Sequence, residues 1–431
     1  MKRTDTNNDS VINQAGSETV IILDNWRKCK RRRRIYRISL CMALFVSLIG
    51  LAGYGYYLID QNIPSIIHVR AGEEQSFDLN VPAKAELISV GTVGQSNIPK
   101  GSVVIDLSEP VTLKTSGLEE YFMEVKLFGL LPFKQVGIEV VEDCELIPMG
   151  VPVGIYMEAK GILVIGVGEF SGQNGEKSAP AQGILKTGDY IRKLNGVAMN
   201  SKEEFIQGIE KSDGKSQCVT VERKGELIDL QVTPVMDTMG AYKIGVWVRD
   251  STQGVGTMTY IDSEGHFGAL GHGISDIDTS TLMEMNDGTL YRTKILSIEK
   301  GTVGNPGEMT GMIVYSDENI LGDIHYNGVE GIFGTCNEQA IQMAGERAIP
   351  VAFKQEIKEG AAEIICTVDG ETRYYDIEIT NVHLDHDNVN RGIELTVTDP
   401  QLLKITGGIV QGMFTSYNGY NTRENPVKSR V

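Results

Sequence analysis

The sequence predicts a mainly β protein hung from a single N-terminal transmembrane helix. Three observations carry that reading. The chain of 431 residues has 49 Gly but only 2 Trp, and its glycines punctuate short runs of alternating apolar and polar residues, the pattern of strands joined by turns. Residues 38–59 run for 22 positions without a charge, and roughly 20 apolar residues suffice to cross the hydrocarbon core as a helix. Eight basic side chains (Arg27, Lys28, Lys30, Arg31, Arg32, Arg33, Arg34 and Arg37) stand immediately before that run.

Taken in order, residues 1–37 form a basic tail and 38–59 the span. The basic cluster stays cytoplasmic, so the remainder lies across the membrane. Tyr54, Tyr56 and Tyr57 sit at the far end, where amphipathic rings favour the interface. A cleaved signal peptide would have a shorter apolar core and a small-residue cleavage site, and the sequence has neither. Residues 1–25 are polar and are expected to lack fixed structure. Net charge is −17, divided as +6 over residues 1–59 and −23 over the rest. An acidic body argues against nucleic acid as a partner, since phosphate contacts need Lys and Arg.

Residues 60–143 show alternating runs between Gly, Pro and Asn turns, and read as a β-rich spacer module. The pattern changes over 144–237. Gly188-Asp189 leads into a strand, Asn195-Gly196 is a strong hairpin signal because both residues tolerate positive φ, and Ser201 with Glu204 reads as a capping box. Phe205, Ile206 and Ile209 give the helix that follows an apolar face. The run G-D-Y-I-R-K-L-N-G and its surroundings resemble a PDZ domain. That resemblance implies capture of an extended peptide by strand addition, with Met149, Gly150, Val151, Pro152 and Val153 as the loop that holds the peptide's carboxylate.

Residues 238–431 are again strand-rich. His272 lies between Gly271 and Gly273, where open backbone lets a substrate approach, and His266 is an adjacent competitor. Three stretches here, G-V-G-T-M-T-Y (254–260), G-A-L-G-H-G-I-S-D (268–276) and T-D-P-Q-L-L-K-I-T-G-G-I-V-Q-G-M (398–413), together resemble the SpoIVB peptidase family. The order of basic tail, span, PDZ-like part and peptidase part agrees with it. The resemblance implies a trypsin-like double β-barrel and a membrane-anchored serine endopeptidase of sporulation. Such an enzyme cleaves itself from its anchor and cuts a membrane-protein partner outside the forespore inner membrane, which triggers processing of a sigma factor precursor. It implies His272 as general base and Asp399 as the acid that orients it, with the N–H of Gly412 in the oxyanion hole. From the residues alone, Asp399-Pro400 reads only as a turn that ends a strand.

The resemblance stops at Met413. The nucleophile position falls on Phe414, whose ring can neither attack a carbonyl nor exchange a proton. Ser416 is a weak substitute, because each residue of extended chain moves a side chain about 3.3 Å and reverses its face. Residues 414–431 depart from the family's continuation, lack strand alternation and are consistent with a frameshift near codon 414. The second reading of the chain is therefore an anchored peptide-binding protein without catalysis. No cofactor motif is present: Lys300-Gly301 lacks the phosphate-loop spacing. His383, Asp385, His386 and Asp387 read as an acidic hairpin tip rather than a metal site. Cys29, Cys41, Cys144, Cys218, Cys336 and Cys366 show no C-x-x-C spacing; buried thiols are expected, with a disulfide as the alternative in an oxidising space.

Overall fold

No proline interrupts residues 8–62, and Pro64 is the first in the chain. The computed structural model accordingly has one helix, α1, over Asn8–Asn62, longer than the span expected from the sequence. Residues 30–62 meet the length and composition of a membrane span. The expectation of no fixed structure over 1–25 is corrected from Asn8 onward, where the backbone is helical. The structure describes residues 8–77, 79–89, 103–114, 121–302, 305, 307–344, 348–383, 392–410, 416–421 and 425–430, with backbone alone for 8–29 and beyond 410.

Residues 64–431 form a second compact unit. Its first part is a five-stranded sheet made by β1 (Ile66–Arg70), β2 (Ala83–Ser89), β3 (Val103–Asp106), β4 (Tyr121–Leu127) and β5 (Leu131–Val141), in the order β1-β5-β4-β2-β3. Alternation along these strands buries Ile67, Val69, Ala85, Met123, Val125, Val136 and Ile138.

The next strand, β6 (Glu145–Val167), is 23 residues long and belongs to two cores. Its last part pairs with β7 (Tyr190–Leu194). With helix α2 (Lys202–Glu210), β8 (Gln217–Arg223) and β9 (Glu226–Val232), it encloses Ile162, Val164, Ile191, Leu194, Phe205, Ile209, Val219 and Val221. The local signals here are borne out. Asn195 (φ 52) and Gly196 (φ 83) make the hairpin turn, and the Ser201 hydroxyl accepts from the Glu204 N–H at 3.2 Å. The Glu204 carboxylate reaches back one residue further than expected, to the Asn200 N–H at 3.2 Å. Asp189 is buried for a structural reason: it takes both arms of the Arg223 guanidinium at 2.7 Å.

The earlier part of β6 pairs with β10 (Val246–Ile261) on one side and β12 (Met285–Glu299) on the other. β10 continues to β11 (His266–Ala269), while β12 pairs with β13 (Glu308–Ile313) and with β14 (Ile320–Gly328). β14 pairs with β15 (Gly331–Cys336), and β15 with β11. The pairings β6-β10-β11-β15-β14-β12 thus return to β6. Val153, Ile155, Met157 and Ala159, at alternate positions of β6, face Met258, Phe267, Leu290, Ile324 and Ile332 in one core. The expected boundary at 237/238 therefore does not separate the two cores, because the front of β6 belongs to the later one.

A third core lies under β16 (Gly360–Val368), β17 (Glu371–Val382), β18 (Ile393–Val397) and helix α3 (Pro400–Thr406). The double barrel implied by resemblance is corrected here. These strands join β19 (Ser416–Asn421) and β20 (Asn425–Arg430) in a five-stranded sheet, order β18-β17-β16-β19-β20, with no return pairing among the described residues. The tail, expected to lack strands, supplies two of them. An edge strand joins through backbone hydrogen bonds, which do not require side-chain alternation.

One buried cation joins the first sheet to the segment before β16. Arg70, 3% exposed, holds Glu356 with two nitrogens at 2.7 and 2.9 Å, the Val351 carbonyl at 2.8 Å and Asp143 at 3.0 Å. Its guanidinium also stacks 4.5 Å from the centre of the Phe353 ring. Substituting Arg70→Met takes the cation from the Glu356 carboxylate, which keeps the Phe353 N–H at 2.8 Å. We expect a loss of about 3 kcal/mol, the usual result of breaking a buried pair from one side, read as a lower urea midpoint for unfolding of the C-terminal unit.

Candidate functional site

The backbone leaves β11 through a left-handed residue that is not glycine. Leu270 has φ +71, and its N–H is held by the Thr257 carbonyl at 3.0 Å. Such a conformation costs energy for a branched side chain and persists only where its surroundings impose it. His272 follows. A Cβ on Gly273 would stand 2.2 Å from the Gly328 carbonyl oxygen, so the loop lies flat on the β14–β15 turn as only glycine allows.

Two side chains that sequence reasoning missed pin this loop. Asn327 is buried: its Oδ1 accepts from the Ile274 N–H at 2.8 Å, and its Nδ2 donates to the Ile274 and Met283 carbonyls, each at 2.9 Å. Asp276, also buried, accepts from the N–H groups of Asp278 and Thr279 at 3.0 and 2.9 Å and pairs with Arg249. The Asn327-Gly328 dipeptide is legible in the sequence as a turn, but nothing there says that the amide turns inward.

His272 itself is exposed, with Nδ1 3.0 Å from the Gly273 carbonyl. A carbonyl can only accept, so in the neutral ring Nδ1 carries the hydrogen and Nε2 the lone pair. That is the tautomer a general base needs. The orienting group is a backbone carbonyl, not a carboxylate.

Asp399 is elsewhere engaged. It follows β18 as the N-cap of α3, where its Oδ1 accepts from the N–H groups of Gln401 and Leu402 at 2.8 and 2.9 Å. Pro400 sits at the first helical position and Gly407 (φ +72) closes the last turn. Among the described residues no hydrogen bond or ion pair joins Asp399 to His272. Asp399 lies instead near Cys366 and Tyr375: burial first, and the Asp399 charge second, push the Cys366 thiol up to about 12. The T-G-G turn is also structural, since the Thr406 carbonyl accepts from Gly301 N–H at 2.8 Å and Val410 bridges Gly307. The pattern D-P followed seven residues on by Gly is the sequence signal for this short capped helix. Gly412, Phe414 and Thr415 lie outside the described residues, as do Asp385, His386 and Asp387. For Ser416 only the backbone is described, paired opposite Ile365.

The competitor His266 does have a carboxylate. Its Nδ1 lies 2.9 Å from Asp262 Oδ2, while Asp262 Oδ1 accepts from the N–H groups of Glu264 and His266, both at 2.8 Å. This is the β10–β11 turn, fastened by its own first and last residues. The Asp262 hydrogen bond and charge hold the His266 imidazole above its usual range. Burial pushes the Asp262 carboxyl up, and the hydrogen bonds from His266 and the turn amides outweigh it, leaving it low. His383 makes a comparable pair with Glu394 at 2.7 Å. Among the described residues no group of three or more His, Cys, Asp or Glu side chains could hold a metal. The described cysteines Cys41, Cys144, Cys218, Cys336 and Cys366 are unpaired; Cys366 is buried, as expected, and Cys144 exposed.

The peptide-binding loop expected at Met149, Gly150, Val151, Pro152 and Val153 is not an open loop. These residues lie within β6, with Val151 opposite Met258 and Val153 opposite both Gly256 and Arg292. A Cβ on Gly150 would meet Ile365 at 2.6 Å, and the Gly150 carbonyl accepts from Thr367 at 2.7 Å, so β16 covers this stretch. A groove of about 350 Å³ lies instead between α2 and the start of β10, lined by Phe205, Ile206, Ile209, Ile244, Val246 and Val248. Gly245 (φ +74) makes the bend at its end, where a Cβ would stand 2.4 Å from the Gly168 carbonyl. Ile244 and Gly245 give their carbonyls to the N–H groups of Ala181 and Gly168 at 2.9 and 3.0 Å. The first residues of β10 pair with β6 on one side, and their other edge faces the groove.

Two predictions follow from the loop and turn. Asn327→Ala removes three hydrogen bonds to the His272 loop, and is expected to cost about 2 kcal/mol and to speed hydrogen exchange at the Ile274 amide. For His266, a folded pKa above the unfolded one means stabilisation that is present below about pH 6.5 and fades as pH rises through the higher folded value. For Asp262, the lowered value means stabilisation present above about pH 4 and lost as pH falls through the folded value. The difference in thermal midpoint between the native chain and His266→Gln should therefore be largest near pH 5 and shrink by pH 8.

Comparison with known proteins bears on these features. A solved PDZ domain, from the SdrC-like protein of Listeria monocytogenes, matches 20% of this chain and 86% of its own length at 23% identity, with a TM-score of 0.17. The family model described as SpoIVB peptidase S55 matches residues 240–417, the stretch that contains both the His272 loop and the capped helix at Asp399. Residues 240–417 of this chain form a SpoIVB peptidase S55 domain.

Proposed function

We propose that this chain is a membrane-anchored member of the SpoIVB peptidase S55 family that grips polypeptide in the groove between α2 and β10 and does not itself complete peptide hydrolysis. The observation that carries the second half is Phe414 at the family's nucleophile position. It is supported by Asp399, whose carboxylate is committed to two helix N–H groups, and by His272, whose Nδ1 is satisfied by a carbonyl. Acyl transfer needs a hydroxyl within about 2.6–3.2 Å of the base, and a phenyl ring supplies none.

The first half rests on the groove. It has an apolar floor and a strand edge for a peptide to extend, with Glu169, Glu210 and Lys243 also in its lining. By the basic side chains before the span, the N-terminus is cytoplasmic and the groove lies across the membrane.

A second reading is favoured by the His272 loop, where among the described residues Nε2 has no hydrogen-bond partner. On that reading the chain cleaves a membrane-protein partner outside the forespore inner membrane, and itself, with Ser416 recruited as nucleophile. Incubation of the full chain with a fluorophosphonate separates the two. We expect no labelling and no cleavage of a protein substrate; labelling at Ser416 would overturn the silent reading. For the groove, fluorescence polarisation with apolar C-terminal peptides should show binding that Ile206→Glu weakens at least tenfold. Equal binding by both proteins would refute that placement.

A further inference from the structure

The β4–β5 hairpin ends in an exposed apolar tip. Phe128 is 69% exposed, Leu130 82% and Leu131 60%, and Pro132 beside them is exposed as well. From Leu127 to Phe133 there is no charged or hydrogen-bonding side chain. The tip is rigidly made: Phe128 (φ 52) donates its N–H to the Pro82 carbonyl at 3.0 Å, and Gly129 (φ 71) donates to the Lys126 carbonyl at 3.1 Å. A bulky apolar residue held left-handed and out of the core contributes nothing to folding by burial. Contiguous apolar exposure of this kind marks a binding surface.

Register says which way the tip points. β1 runs parallel to β5, with Ile66 opposite Gly137 and Arg70 opposite Val141. β5 therefore extends past the start of β1 by the six residues 131–136, about 20 Å at strand rise. Only Ile63, Pro64 and Ser65 separate the end of α1 at Asn62 from β1, a link that spans about 14 Å at full extension. Lysines collar the base of the tip: Lys84, whose stem lies 3.3 Å from a Cβ built on Gly129, Lys126 and Lys134. Lys126 also pairs with Glu86 at 2.9 Å.

We propose that this tip inserts into the surface of the phospholipid bilayer that α1 crosses, with Phe128, Leu130 and Leu131 among the acyl chains and the lysines at anionic headgroups. The apolar end matches the interface, and the collar matches its charge. A second attachment beside the span would hold the first sheet against the membrane rather than leave it free on a three-residue tether.

The test uses the full chain in nanodiscs of phosphatidylcholine, with or without phosphatidylglycerol, and Leu130→Trp or Phe128→Trp as two separate reporters above the background of the native Trp26 and Trp247. We expect the added emission to be blue-shifted and at least twofold quenched by brominated lipid, more so with the anionic lipid present. Added emission that is red and unquenched at both positions refutes the proposal. So does blue-shifted emission that bromine leaves untouched and that depends on the number of chains per disc, since a second copy of the chain would then cover the tip.

Discussion

The architecture depends on one strand serving two cores. β6 gives Val153, Ile155, Met157 and Ala159 to the ring of paired strands and Ile162 and Val164 to the core beneath α2. A strand buried on both sides over most of its length cannot slip by one residue without turning an apolar row outward in each core. The register of β10 along β6 is set by the same requirement. This in turn fixes where β11 ends, where the His272 loop begins and which edge of β10 faces α2. The candidate base and the candidate peptide groove are thus two consequences of a single pairing.

Within that frame, the family's sequence signature carries two kinds of physics. In the histidine motif the glycines let the loop lie on the β14–β15 turn, and the terminal Asp276 closes it through Arg249. In the T-D-P motif, Asp399, Pro400 and Gly407 start and stop a short helix, and the T-G-G turn fastens it to Gly301 and Gly307. Those residues are needed for the fold whether or not chemistry occurs. The motif is therefore compatible with a chain in which Phe414 stands where a nucleophile is expected. The same reasoning separates His266 from His272: the former has an aspartate and serves a turn, while the latter, among the described residues, makes a hydrogen bond only within its own loop.

Several elements were legible because their signals are local. The Asn195-Gly196 turn and the Ser201 cap each depend on residues within a few positions of one another and stand where the pattern put them, and the uncharged run lies within a longer helix. Met149–Val153 shows the limit of that method. A glycine between apolar residues reads as a loop able to approach a ligand, and Tyr242–Val246 has the same pattern. Sequence order does not reveal which of the two is covered by β16 and which stays beside α2.

By itself the sequence determined the long apolar run near the N-terminus, the strand-rich class and the likeness of its later part to the SpoIVB peptidase family, since these follow from residue type and short-range spacing. Tertiary structure decided the sharing of β6, the inward amide of Asn327 and, among the described residues, the open five-stranded sheet in place of a second barrel. Each of these depends on which distant segment fills a space or meets a backbone group. A turn asparagine that faces solvent and one that turns inward look alike in one dimension, and only the fold brings the Ile274 and Met283 backbone groups within 3 Å of Asn327.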